Sequence, residues 1–159
     1  QALIQSLFDN NEKLAHYNNF ASVNCMSGMC MEKYKALEHP YPSLIDKIER
    51  YGYDPKQLHH IMRLNEFIKR YINGESYADC LISKNKEYLI DVKKGIHTLD
   101  EARVLAKALT DETVQIKNVY MNTHKIRINK DCETILNNVL LNTIKHCFLS
   151  ELNMEVNGE

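Results

Sequence analysis

No apolar run in this 159-residue chain approaches the roughly 20 residues that a membrane span needs. Its formal net charge is −1, so it lacks the global basic field that drives non-specific nucleic-acid binding, and any anion recognition must be local. Glycine and proline are scarce, at five and three, and most of them fall where helices should start or stop. The five cysteines, Cys25, Cys30, Cys80, Cys132 and Cys147, form no C-x-x-C pair and no Cys/His set at zinc-finger spacing. Reduced, mostly buried thiols in a cytoplasmic protein are the expectation. The first residues, Gln1-Ala2-Leu3-Ile4-Gln5, carry no basic n-region, no cleavage pattern and no initiator Met, so the chain is expected to begin inside a longer polypeptide or to have its first residues missing or removed.

Several chemistries find no motif here. There is no Gly-x-Gly-x-x-Gly, P-loop, Gly-x-Ser-x-Gly or His-Glu-x-x-His. No arginine is followed by a histidine four to six residues on, which removes support for a helical ribonuclease of that type. Metal-dependent nucleotidyl transfer needs paired carboxylates around magnesium. The one acidic pair at Asp-x-Asp spacing, Asp131-Cys132-Glu133, opens a predicted helix, where the dipole favours acids anyway. No catalytic and no metal-binding residue is therefore assigned to this chain.

What is present reads as helix. The spacing predicts helices over residues 2–15 (with Leu3, Leu7 and Leu14), 20–38, 43–50, 55–73, 85–94, 98–121 and 130–152. The 20–38 segment is rich in Met and Cys, expected as gap-filling core, and its Gly28 is expected to serve close packing. His39-Pro40-Tyr41-Pro42-Ser43 stops that helix. Thr98-Leu99-Asp100-Glu101 is a capping box, and Asn129 caps the last helix. Residues 77–82 alternate weakly and predict a short extended piece. The fold class that follows is all-α: a single bundle of six or seven helices with short connections, one domain over 1–152 and a frayed tail over 153–159. Length and composition, with 44% hydrophobic and 26% charged residues, suit one globular domain.

The richest stretch is Tyr51-Gly52-Tyr53-Asp54-Pro55-Lys56-Gln57-Leu58-His59-His60-Ile61, continuing into Met62-Arg63-Leu64. Asp54 is an N-cap, Pro55 suits the first helical position and Gln57 follows three residues after the cap. Lys56, His60 and Arg63 stand at i, i+4 and i+7 and share one helix face, opposite Leu58, Ile61, Ile68 and Ile72. A cationic stripe at that spacing presents itself to an anion such as a nucleotide phosphate, although such stripes are more often solvated faces. His59 points about 100° away and is set aside.

These fourteen residues resemble the "YGYDxKxxxHxxRL" signature of predicted bacterial and phage nucleotidyltransferases in the DNA polymerase β superfamily. The likeness continues through Gly74-Glu75, Tyr88-Leu89-Ile90-Asp91-Val92-Lys93-Lys94-Gly95 and Leu99-Asp100-Glu101-Ala102, over roughly residues 20–121. The resemblance implies a two-part enzyme. A catalytic α/β lobe with a Gly-Ser motif and a magnesium-holding Asp-x-Asp precedes a helical part that carries the signature. The Gly-Ser and Asp-x-Asp elements are absent here, so the chain reads as the helical part alone, inactive by itself. By the same resemblance Lys56, His60 and Arg63, with Tyr53 and Asp54, face the nucleotide or the cleft between the parts. The implied partners are the missing N-terminal catalytic domain, a nucleoside triphosphate and a nucleic-acid or protein acceptor; Mg2+ belongs to the parent enzyme. The alternative reading is a non-enzymatic helical interaction module, inhibitor- or antitoxin-like. The wide apolar face over 135–152 would then join a homodimer or a protein partner.

Overall fold

The structure, a computed structural model, describes the backbone of residues 2–156 and the side chains of residues 4–150. Among the described residues the chain is all-α, with nine α-helices, one 3-10 turn and no strand. The helices are α1 (Ala2–Asp9), α2 (Asn11–Ala15), α3 (Asn19–Lys35), α4 (Ile45–Tyr51), α5 (Pro55–Ile72), α6 (Tyr77–Cys80), α7 (Lys86–Lys93), α8 (Leu99–Thr123) and α9 (Lys130–Val156); the 3-10 turn is Pro42–Leu44. No described helix is long and apolar enough to cross a membrane.

The sequence reading places residues 1–152 in one domain. By contacts the chain groups into two compact units, one of Gln1–Asn18 with Arg127–Glu159 and one of Asn19–Ile126.

In the Asn19–Ile126 unit, α3, α5 and α8 pack on one another, and α6 and α7 pack on α5. Two apolar clusters form its interior. One gathers Cys30, Leu37, Tyr53, Leu58, Ile61, Val92, Ala102 and Ala106; the other gathers Val23, Met26, Ile68, Tyr71 and Cys80. The core residues of α5 recur at helical spacing, which is why one stripe of that helix can serve both clusters. A polar layer links the same three helices. Asn65 Nδ2 of α5 donates to Leu109 O at 3.2 Å, to Glu112 Oε2 at 3.0 Å and to Thr113 Oγ1 at 3.1 Å, all on α8. Cys30 of α3 lies 3.7 Å from Thr110 Oγ1. Buried amides of this kind must be partnered, so the layer fixes the register of α5 against α8.

The helix ends follow their sequence signals. Asp54 caps α5, accepting from Lys56 N at 3.1 Å. Thr98 and Glu101 form the capping box of α8. Glycines close α4 and α7 and follow α5: Gly52, Gly74 and Gly95 all have positive φ, a region costly for other residues.

In the other unit α1 packs on α9. The start of α9 is tied back by Tyr17, whose hydroxyl donates to Glu133 Oε1 at 3.1 Å and whose carbonyl accepts from Asn129 N at 3.0 Å. Asn129 caps α9 by accepting from Asp131 N at 3.1 Å, and the buried Cys132 thiol donates to Lys13 O.

Four local expectations need correction. Residues 77–82 are not extended: Ser76 caps the short α6, accepting from Asp79 N at 3.0 Å, and Arg70 holds the carbonyls of Asp79 and Ile82. The helix expected over 2–15 breaks at Asn10, whose side chain takes the Ser6 carbonyl at 2.9 Å in competition with the backbone. Gly28 serves no close packing, since a Cβ there would meet nothing within 4 Å. The Met/Cys face of α3 is only partly core: Met26 and Cys30 are buried, whereas Cys25, Met29 and Met31 are exposed. The side chains of Leu3 and Leu152 lie outside the described residues, as do residues 157–159 of the expected tail; α9 itself runs on to Val156.

Candidate anion-binding face

The face is built on α5. Asp54 sets where the helix begins, and the buried apolar stripe sets how it is rotated. Lys56 projects from the first turn, exposed, and His60 stands one turn further on, half-buried. His59 does not leave the site as its helical angle implies. Its ring meets that of His60 edge to face, with centroids 5.3 Å apart and planes at 75°.

Two further elements bring charge to this pair. Lys33, in the last turn of α3, and Lys93, in the last turn of α7, are both felt at His60. Burial first, then the positive fields of Lys33 and Lys56, push the His60 pKa below the ordinary imidazole value; Asp54 opposes them and Lys93 adds to them. His59 is lowered by burial, then by His60, Lys93 and Arg63. Both rings are thus held neutral near pH 7 inside a positive neighbourhood. None of Lys33, Lys56 and Lys93 has an ion-pair partner among the described residues. His59 Nδ1 is buried without a hydrogen-bond partner.

Arg63 is drawn away from this face. Its Nη2 donates to Leu81 O at 2.6 Å, and its Nη1 lies 3.9 Å from Glu66 Oε2. Glu66 also accepts from the Ser83 hydroxyl and from Lys84 N. Arg70, next on the stripe, is buried and gives Nε to Glu75 Oε2 at 2.7 Å, Nη1 to Ile82 O at 2.6 Å and Nη2 to Asp79 O at 2.8 Å. The lower half of the stripe is therefore a clamp on the segment between α5 and α7. Only Lys56 and His60 of the expected three remain free to meet a ligand.

Tyr53 and Asp54 do not face solvent. Tyr53 is fully buried and donates its hydroxyl to His97 O at 3.0 Å. Asp54 is also buried; beyond its cap bond it accepts from Gln57 Nε2 at 3.1 Å and lies 3.8 Å from Lys47 Nζ. Its own N–H goes to Leu37 O at 2.8 Å, so Gln57 closes on the carboxylate instead of reaching back to that N–H.

Compared with protein-family models, curated proteins and solved structures, the chain matches none. Local geometry therefore carries the functional reading. Two clefts elsewhere in the Asn19–Ile126 unit, of about 290 Å³ beside Tyr120 and His124 and about 370 Å³ beside Glu38 and Arg103, include none of Lys56, His60 and Arg63. The cationic face lies outside both. Among the described residues no group of three or more His, Cys, Asp or Glu is placed to hold a metal ion, and Asp131 and Glu133 are engaged with Lys13 and Tyr17.

Sequence reasoning missed Lys33, His59 and Lys93. Lysines in the last turn of a helix read as ordinary complements of its dipole, and only the packing of α3 and α7 on α5 gathers them.

Proposed function

We propose that the Asn19–Ile126 unit is the helical, phosphate-facing part of a magnesium-dependent nucleotidyltransferase, with the metal-holding carboxylates supplied by a preceding lobe. The observation that supports the reading is that α3 and α7, which carry Lys33 and Lys93, both pack on α5, which carries Lys56 and His60, and that none of the three lysines has an ion-pair partner among the described residues. Such a cluster attracts multiply charged anions and places positive charge where phosphoryl transfer builds negative charge. The resemblance of residues 51–64 to the nucleotidyltransferase signature supplies the reaction class. In this reading Lys56 and His60 touch phosphate, Arg63 supports them by holding the chain at Leu81, and Tyr53 and Asp54 set the start of α5.

The test is direct. The full chain, incubated with Mg2+ and radiolabelled nucleoside triphosphate, is expected to bind nucleotide and to transfer nothing. Robust transfer by this chain alone would contradict the accessory role.

A second reading, a helical protein-interaction module, has its own support. Leu136, Leu140, Leu141, Ile144, Phe148 and Leu149 of α9 are all exposed. Contiguous apolar exposure of this kind marks association surfaces. Light scattering separates the readings: a stable dimer with no nucleotide binding favours the module, and a nucleotide-binding monomer disfavours it.

A further inference from the structure

We propose that Tyr88, His97 and Glu101 form a nucleophile, its base and the group that orients the base, and that the Tyr88 hydroxyl takes a phosphoryl group from an activated phosphate ester or anhydride. The set shares no residue with the Lys56–His60 face and does not depend on the phosphate-facing reading, so either can fail alone.

The placement is built from the loop after α7. Gly95 has φ +84°, and a Cβ there would stand 2.5 Å from the Tyr51 ring, so glycine lets the chain turn closely against that ring. Two residues on, the backbone is pinned: the buried Tyr53 donates its hydroxyl to His97 O at 3.0 Å. The His97 ring reaches back to α7, and its Nε2 lies 2.9 Å from the Tyr88 hydroxyl. The two rings meet edge to face, with planes at 84° and centroids 5.9 Å apart. On the other side of the imidazole, Nδ1 lies 3.8 Å from Glu101 Oε2. That oxygen is fixed by the capping box of α8, accepting from Thr98 N at 2.8 Å and from Thr98 Oγ1 at 3.0 Å. The bonds from Thr98 hold the Glu101 carboxyl below the usual carboxylate range, so it is anionic at neutral pH.

A carboxylate facing Nδ1 draws the imidazole proton to that nitrogen and leaves the Nε2 lone pair towards Tyr88, the tautomer in which the phenol donates and the ring accepts. A hydroxyl, a base within hydrogen-bond reach and a third group orienting the base are the elements of an activated nucleophile. Tyr88 is 42% exposed, so an electrophile reaches its oxygen from solvent, whereas the His97 side chain is only 15% exposed and is held in place. Exposure does not set Tyr88 apart, since Tyr34 at 38% and Tyr41 at 46% are comparably open; the bond to His97 does. Phosphoryl transfer asks little of a protein beyond positioning the nucleophile and taking its proton, and the set supplies both. In the step, a bond forms between Tyr88 Oη and phosphorus. The bond from phosphorus to the leaving-group oxygen breaks, that oxygen departs with the electron pair, and the Oη proton passes to His97 Nε2. Glu101 is a positioning residue, acting through His97.

The experiment treats the full chain with diethyl para-nitrophenyl phosphate, follows nitrophenolate release and locates the diethylphosphoryl group by peptide mass mapping. The expected result is a single group on Tyr88, with Tyr34 and Tyr41 labelled at least about tenfold more slowly. That comparison is made within the parent chain, so a substitution that fails to fold leaves the test intact. His97→Gln keeps the carbonyl that Tyr53 needs and is expected to slow labelling of Tyr88 about 10²-fold. Glu101→Gln keeps a side chain that can close the capping box and is expected to slow it about tenfold or more. Heteronuclear NMR of the His97 ring nitrogens gives the second readout: Nδ1 carries the proton in the parent chain, and the Nε2-protonated form gains in Glu101→Gln. Tyr88 labelled no faster than Tyr34 and Tyr41, or equally fast in parent and His97→Gln, would overturn the proposal. So would a parent ring protonated at Nε2. Selective labelling of Tyr88 by para-nitrophenyl acetate with none by the phosphate ester would assign the site to acyl groups and overturn the phosphoryl class.

Discussion

Arg63 of α5 donates its Nη2 hydrogen to the carbonyl oxygen of Leu81 at 2.6 Å, across the turn that carries α6. The bond converts a residue that sequence spacing places on a ligand-facing stripe into one end of a clamp. Arg70 forms the other end, through Asp79 O and Ile82 O. Arg63→Ala and Arg70→Ala are therefore expected to loosen residues 75–84. Limited proteolysis should cut that segment faster in either variant than in the parent chain, and hydrogen exchange should lose protection there first. Equal cleavage in parent and variants would contradict the clamp.

Tyr53 and Asp54 serve the fold. Asp54→Ala removes the cap of α5 and is expected to cost about 0.5–2 kcal/mol. Tyr53→Phe leaves the His97 carbonyl without its donor and should cost about 0.5–1.5 kcal/mol. Urea denaturation measures both. At a temperature where each variant is fully folded, pyrophosphate affinity should stay within about twofold of the parent. A selective loss of affinity in Tyr53→Phe would return that residue to the ligand.

Two glycines should respond in opposite directions to the same added methyl group. At Gly95 φ is +84°, and a Cβ would stand 2.5 Å from Cε1 of the Tyr51 ring, so Gly95→Ala is expected to destabilise by about 1–3 kcal/mol. Gly28 lies within α3 with no neighbour within 4 Å of the new atom, so Gly28→Ala should stabilise by about 0.5–1 kcal/mol. Matching thermal melts of the two variants give the comparison, and stabilisation at position 95 would be incompatible with this packing.

Stability should fall on mild acidification. His59 and His60 have folded pKa values below the ordinary imidazole value of about 6.5. Between the folded and unfolded values the unfolded chain holds more protons, so unfolding free energy rises with pH through that window. The contribution is complete above about 6.5 and is lost as the pH drops through the folded values. The carboxylates that Arg103 and Lys69 hold low, Glu38 and Glu112, act in the same direction but further into the acid range. Chemical denaturation at pH 7.5 and pH 5.5 should therefore show a loss in the parent chain that shrinks in His59→Gln/His60→Gln. A parent chain equally stable at both would speak against the half-buried histidine pair.

Much of the fold is legible in the sequence because its signals are local. Asp54, Asn129 and the Thr98–Glu101 box each bond within their own turn, so spacing alone locates three helix starts. The apolar period of α5 likewise names its buried side. The site was less legible because its parts meet through tertiary contact. Lys33 and Lys93 lie on helices that each pack on α5, and nothing in their own segments records it. His59 was set aside on helical angle, but an angle between Cβ directions does not forbid two adjacent rings from meeting edge to face. Arg63 misled in the other direction. Its carbonyl partner, Leu81, belongs to a segment whose weak alternation hid the Ser76-capped turn.

The central claim is that three unpaired lysines around His60 hold phosphate. Isothermal titration calorimetry of ATP into the full chain at low ionic strength tests it most directly, with Lys33→Met/Lys56→Met/Lys93→Met as the comparison. The account predicts saturable binding by the parent chain, weakened at least about tenfold in the triple variant and by added salt. No binding by the parent chain, or equal binding by both, would contradict it.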